Sequence, residues 1–535
     1  MILYDHRMTL IAEELPDDVD ALKRLVLNQQ AEIHATQDAL HAFKSQTDDQ
    51  QQRICYLEEQ LRLLLQKRFG ASSEQQSIDQ LGLFNEGEAI EEEGAESDKN
   101  IMVQPHQRRR GKRAPLPDIL PRIEVIHDLN AADKVCSHDG HALHEIGREV
   151  SEQLDVIPAK IQVIRHVRIT YGCRCCEQTV KTAPLPPQPI PKSQASPGLL
   201  AHIAVSKYVD ALPLYRQVEM WRRVGVDLDR STFANWMIKV GDLLTPLINL
   251  MQERLLSGPL IHMDETTVQV LKEPGRSAQN KSYMWLRLGG DPPNRMILFD
   301  YQPTRHSDTP RQLLHGFNGV LVTDGYDGYN AVVRENTLTH AGCWAHVRRK
   351  FDEAIQARGK GKHAKTGKAH QAIALIGKLY QIEREISDNT AAQRKITRQQ
   401  TSKPIIEQLQ TWLETSLPQV APQSLTGKAL HYLHSQWPKL IRFLDDGRIP
   451  MDNNPAENAI RPFVMGRKAW LFSNSQAGAN SSANIYSVIQ TAKANGLEPF
   501  TYLKHVLTEL PKAETVEDIE RLLPGRFATL SNSER

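Results

Sequence analysis

LIHMDETTVQV, residues 260–270, is the stretch from which the rest of the chain is read. Apolar residues from Pro259 to Ile261 and from Val268 to Leu271 are rich in β-branched side chains, the pattern of a buried strand, and Asp264 sits inside the run. Two more strand patterns follow, Tyr283 to Leu288 and Met296 to Tyr301, with a Gly-Gly-Asp-Pro-Pro turn between them. A short helical stretch, Thr309 to Gly316, leads into an apolar strand, Gly319 to Thr323, that ends on Asp324 in GVLVTDGYDGY, residues 319–329. A strand pattern at Leu338 to Cys343 then precedes a helix opening at Trp344.

Three strands able to form hairpins, then a helix, a strand, a helix and a strand, is the order expected of an RNase H-like α/β core. In that topology the first and fourth strands pair in parallel at the sheet centre. Asp264 and Asp324 would then lie side by side at the carboxyl edge, where open α/β sheets place their sites. A third acid, Glu457 in MDNNPAENAIRP (residues 451–462), would come from a later helix packed on the sheet. Three oxygen ligands suit Mg²⁺ or Mn²⁺ rather than zinc. Two such ions about 3.5–4 Å apart can activate a water or a 3′-hydroxyl and stabilise the leaving oxygen of a phosphodiester. Clustered carboxylates repel one another when empty and favour a cation-filled site. Each acid also has a plainer reading. Asp264 could be a strand-end carboxylate, and Asp324 before Gly325 is ordinary turn chemistry. Asn454 reads as an N-cap, with Pro455 at the first helical position and Glu457 at the third, a capping-box arrangement.

At 535 residues the chain is too long for one core, and its formal charge of +1 leaves affinity for nucleic acid to local patches. One is RRRGKR, Arg108, Arg109 and Arg110 through Arg113, after an acidic stretch from Glu86 to Asp98; a mobile linker and an arm on DNA phosphate are both open readings. A basic run also spans Arg348 to Lys368. No apolar run reaches the length of a membrane span, and the first residues lack the basic and apolar regions of a signal peptide, so a cytoplasmic protein is expected. Steps of four and three from Leu22 through Val26, Gln29, Ile33, Thr36, Leu40, Phe43, Thr47, Gln50, Ile54, Leu57, Leu61 and Leu64 keep one heptad register without Pro or Gly, weakened by its polar middle positions, a coiled coil or a helix packed on its own protein. Cys173 and Cys176 have zinc-knuckle spacing, and Asp139, His138 or His141 beside Cys136 could complete a Zn²⁺ tetrahedron; an Asp ligand is unusual in structural zinc, and a small β module with reduced thiols is the other reading. After a Pro-rich break, Gly198 to Leu256 reads as helical. Within it Arg216 to Arg223, Gly225, and an N-cap at Asp229 or Ser231 have helix-turn-helix spacing, with Arg230, Thr232 and Asn235 able to face a major groove.

Several long stretches carry a resemblance: KRFGASSEQ from Lys67, the segment from Arg148 to Glu177, HMDET, VTDGYDGY, GCWAHVRRKF from Gly342, DNNPAENAIRPFVMGRKAWLF from Asp452, and the segment from Ser482 to Leu507. From about Gln60 to Arg526 the chain resembles bacterial transposases of the insertion sequence sixty-six family, which have a DDE-type core. The resemblance implies a multidomain α+β protein: a coiled coil (1–70), an acidic then basic linker (71–120), a zinc-finger-like β module (121–183), a helical DNA-binding region (198–256), an RNase H-like catalytic core (257–350 and 447–475) interrupted by a helical insertion (351–446), and a C-terminal helical tail (476–535). It implies metal-dependent DNA cleavage and strand transfer by Asp264, Asp324 and Glu457, self-association, and small accessory proteins of the same element as partners. Arg461, Arg467 and Lys468 are candidates for clamping phosphate, with His346 and Arg349 near the site. In the family's pattern the first zinc pair is Cys-x-x-Cys; Asp139 stands in place of its second cysteine. The rival readings are a non-catalytic DNA-binding or regulatory protein on the same scaffold, and a plain nuclease.

Overall fold

The computed structural model describes residues 18–69, 124, 161–172, 180–358 and 367–527. Cys136, Asp139, Cys173, Cys176 and Arg108 to Arg110 lie outside these residues. The chain divides into two compact units, residues 73–185 and the remainder. In the first, the described part is a hairpin of β1 (Thr170–Gly172) and β2 (Val180–Thr182), braced by a 2.9 Å hydrogen bond between the hydroxyls of Thr170 and Thr182.

The second unit begins with α1 (Val19–Phe69), a 51-residue helix about 75 Å long. Val26, Ile33, Leu40, Phe43, Ile54, Leu57 and Leu61 along its seam are all at least half exposed. Four helices follow: α2 (Pro197–Tyr208), α3 (Leu214–Arg223), α4 (Arg230–Leu243) and α5 (Thr245–Leu256). The turn expected at Gly225, which adopts φ +84°, and the N-cap at Asp229 are present, and further breaks fall at Pro213, which has no N–H to donate, and between α4 and α5.

A six-stranded mixed sheet is the centre of the fold. β3 (Leu260–Lys272), β4 (Lys281–Gly289) and β5 (Met296–Gln302) form an antiparallel meander; α6 (Asp308–Leu313) leads to β6 (Val320–Val322), and α7 (Asn330–Glu335) to β7 (Thr339–Ala341). The spatial order is β5-β4-β3-β6-β7, with β6 parallel to both β3 and β7. β6 is only three residues long, and both its faces are covered. Leu321 enters one core, shared with α2 to α5, while Val320 and Val322 face a second core built on the helices that follow β7.

Those helices are α8 (Trp344–Arg358), α9 (Lys368–Glu385), α10 (Ala391–Thr397), α11 (Lys403–Ser416) and α12 (Leu425–Leu440). A π-helical turn between α10 and α11 carries Arg398, which is fully buried. It donates to Glu383 at 2.6 Å and to the carbonyls of Phe443, Asp446 and Ile449 at 2.7–3.1 Å, tying the bundle to the loop that precedes the third acid. The chain returns to the sheet as α13 (Asn454–Trp470), then β8 (Ser473–Ser475), which pairs in parallel with the far end of β3.

α14 (Gln476–Ala494) is buried over most of its length and runs along the edge strand β5. Ser487 accepts from the Phe299 N–H, Thr491 both accepts from and donates to the backbone of Ile297, and Asn495 does the same for Arg295, at 2.8–3.0 Å. Four helical residues rise about 6 Å and two strand residues about 6.6 Å, so every fourth side chain meets every second strand residue. The helix therefore closes the ladder that an edge strand would leave open. Thr491→Val keeps the shape but strands both backbone groups of Ile297, and is expected to cost roughly 1–3 kcal/mol in a denaturant titration.

Candidate active site

Register alone brings two acids together. In the parallel pair, His262 lies opposite Val322. Two residues on, with the side-chain period of two, Asp264 and Asp324 stand at the same level on the same face, at the point where β6 ends and β3 continues. Asp324 folds its carboxylate back to accept from the Tyr326 N–H at 2.9 Å, and Asp264 accepts from the Glu265 N–H at 2.8 Å.

Glu457 enters from the first turn of α13, which packs on β3 and β4. The capping box expected there is absent. The N-cap is Asn453, not Asn454, and its side chain makes no capping bond. It is recruited by tertiary contacts instead, which leaves the Glu457 carboxylate free of local duty. His346 Nδ1 and Arg349 Nη2 on α8 approach its two oxygens at 3.5 and 3.6 Å, and its Oε1 is buried without a hydrogen-bond partner.

Burial, then the charge of adjacent Glu265, and then the charges of Asp324 and Glu457 push the Asp264 carboxyl up to about 8. Asp264 thus lies within the electrostatic reach of both other acids. Because Asp264 is raised from an ordinary 3.8, the folded metal-free protein holds a proton that the unfolded chain has lost between these values. The protonated carboxyl's stabilising share is complete below about 4 and gone above about 8. Melting temperature in chelator is therefore expected to fall across that window, and less steeply for Asp264→Asn.

Glu265, which the sequence reading passed over, is nearly enclosed and lies within charge reach of both Asp264 and Asp324. Arg305 Nε donates to it at 2.6 Å and Tyr329 Oη at 2.5 Å. Arg305 also stacks on the Tyr326 ring, 3.7 Å from its centroid, and lines an open groove with His306, Tyr326 and Asp327 beside Asp324. Only the alternation of MDET along a strand could have separated the two carboxylates' roles.

Of the cationic candidates, Arg461 lies one turn beyond Glu457 and within its electrostatic reach. Arg467 is tied to Thr266 and Thr267 of β3, so it anchors α13 to the sheet. Lys468 is exposed. In the helical region, Phe233, Trp236, Met237 and Val240 of α4 are buried, while Arg230 and Asn235 are exposed and Thr232 is partly so, on the opposite face.

Cys343 Sγ, a His346 ring nitrogen and a Glu457 oxygen lie within 4.8 Å of one another. Burial pushes the Cys343 thiol up to about 12, and its sulfur accepts from the Asn453 N–H at 3.2 Å. The Asn453 N–H on the sulfur ties this trio to the start of α13, beside Glu457.

The comparisons agree with one another. Residues 192–481 match the model of the transposase IS66 family. Residues 133–177 match the zinc-finger binding domain of transposase IS66, 56–125 a leucine-zipper model described as transposase C of IS166 homeodomain, and 487–524 the IS66 C-terminal element. Among relatives from Sinorhizobium fredii, the uncharacterized protein y4jD is 31% identical over 532 residues, covering 97% of this chain and 98% of its own length. The uncharacterized protein y4qI is 33% identical over 544 residues, covering 97% and 99%. Among the described residues, no helix is long and apolar enough to cross a membrane.

Proposed function

Since the chain belongs to the IS66 transposase family, we propose that it is a DDE-type transposase with an RNase H-like core, which cleaves DNA at the ends of its own insertion sequence and joins the freed 3′-hydroxyl to target DNA. The observation that supports the reading is the register that sets Asp264, inside β3, level with Asp324, two residues beyond the end of its parallel neighbour β6, with Glu457 close enough for its charge to reach Asp264.

The donor set fits a hard divalent cation: three carboxylates, one with a buried oxygen that lacks a hydrogen-bond partner. When bound, Mg²⁺ or Mn²⁺ supplies activation of the attacking oxygen and neutralisation of developing charge. Asp264, Asp324 and Glu457 hold it. Arg461 and Arg349 flank Glu457 and orient the scissile phosphate, and the groove beside Asp324 receives the strand. Arg230, Thr232 and Asn235, with the basic segment Arg108 to Arg110, contact element DNA. Cys136, Cys173 and Cys176 hold Zn²⁺ in the finger region, with Asp139 or a neighbouring His as the fourth ligand. α1 pairs protomers through its exposed seam.

The test is incubation of purified protein with labelled element-end DNA and Mg²⁺. The expected result is nicking at the end followed by joining to a second duplex. Nicking without joining would reduce the function to a nuclease, and binding with neither would leave a regulatory DNA-binding protein.

A further inference from the structure

We propose that Asn453 and His262 are positioning residues that lock the third carboxylate onto the strand carrying the first. This rests on the reading of Asp264, Asp324 and Glu457 as the metal-holding set. Asn453 is 1% exposed and joins three elements, each adjoining a residue of the site. Its Nδ2 donates to the Met263 carbonyl at 2.9 Å, its Oδ1 lies 2.8 Å from His262 Nδ1, and its N–H donates to Cys343 Sγ at the mouth of α8. Its carbonyl in turn accepts from the N–H groups of Ala456 and Glu457 at 3.0 and 3.2 Å. Wherever Asn453 sits, Glu457 follows one helical turn later.

The chemistry leaves one arrangement. A carbonyl only accepts, so the Asn453 amide must turn Nδ2 toward Met263. Oδ1 then faces His262, whose Nδ1 must carry the hydrogen. His262 lies two residues before Asp264 and so shares its face of β3. Asn is among the preferred N-caps because its side chain can bond the first turn's N–H groups, yet here that bond is not made. Asn453 gives up the local bond and holds β3 instead. Outer-shell contacts of this kind fix the direction of a ligand without touching the ion.

The experiment compares full-length wild type, His262→Leu, His262→Asn and Glu457→Gln on end DNA, reading Mn²⁺ affinity by electron paramagnetic resonance, the Mg²⁺ dependence of cleavage, and melting in chelator. Leu fills the space but cannot donate, whereas Asn retains a donor at the position of Nδ1. His262→Leu is expected to weaken Mn²⁺ and raise half-saturating Mg²⁺ by about 10–100-fold, with His262→Asn recovering most of the loss. Wild-type metal dependence in His262→Leu, or an equal loss in His262→Asn at an unchanged melting temperature, would overturn the strut. Should His262→Leu fail to fold, His262→Asn against Asn453→Asp decides, since Asp keeps the acceptor but sets an oxygen against the Met263 carbonyl. Loss of metal affinity in Asn453→Asp alone supports the strut, and wild-type affinity in both overturns it. Unchanged Mn²⁺ affinity in Glu457→Gln would instead remove Glu457 from the metal set, and the strut with it.

Discussion

Asp264→Asn, Asp324→Asn and Glu457→Gln are each expected to lower Mg²⁺-dependent cleavage of end DNA by roughly 10³-fold or more, because each removes a ligand charge that contributes several kcal/mol at the transition state. Shape is nearly constant in all three, so end binding measured by gel shift should stay close to wild type. Near-wild-type cleavage by any one of them would drop that residue from the triad. Glu265→Gln makes a sharp control. Its carboxylate is engaged by Arg305 and Tyr329, so its loss should lower stability, while removal of its charge beside Asp264 should lower the Asp264 carboxyl toward its ordinary range without deleting a proposed ligand.

Removal of the residues before Lys67 should abolish paired-end assembly and lower the mass measured by sedimentation. The seam of α1 exposes Val26, Ile33, Leu40, Phe43, Ile54, Leu57 and Leu61, and such a row is covered when a second helix inserts its own knobs. The sheet and its two cores should remain folded, since among the described residues they draw on Ile190 onward, although the contact that α1 makes with α8 is lost. An unchanged mass after truncation would show that the seam does not join protomers.

The sheet was legible because β3 is long and rich in β-branched residues, β4 and β5 are apolar runs split by a turn, and Asp264 and Asp324 each end or interrupt an apolar run. β8 was not. Ser473, Asn474 and Ser475 carry no strand signal, and only the extended far end of β3 makes them one. The helix bearing Glu457 was legible to within one residue at its start, but local capping logic assigned the wrong duty to its first turn. A distant strand outcompeted the N-cap for the Asn453 side chain. Arg398 was invisible for a related reason. Within a stretch rich in Gln, Lys and Arg, a single arginine reads as solvated, and its burial depends on carbonyls supplied by the loop after α12. The groove beside Asp324 likewise needed the fold, because it joins the loop after β5 to the loop after β6.

The helical bundle between β7 and α13 also sets a schedule. A ribosome that has finished Asp324 must build α8 to α12 before Glu457 can emerge, a delay on the order of ten seconds at roughly 5–20 residues per second. Throughout that interval the growing chain carries two carboxylates and no third. On the proposed reading of Asp264, Asp324 and Glu457 as the metal-holding set, a polypeptide cut short anywhere within the bundle lacks the third ligand, and competence arrives late in synthesis, as one event.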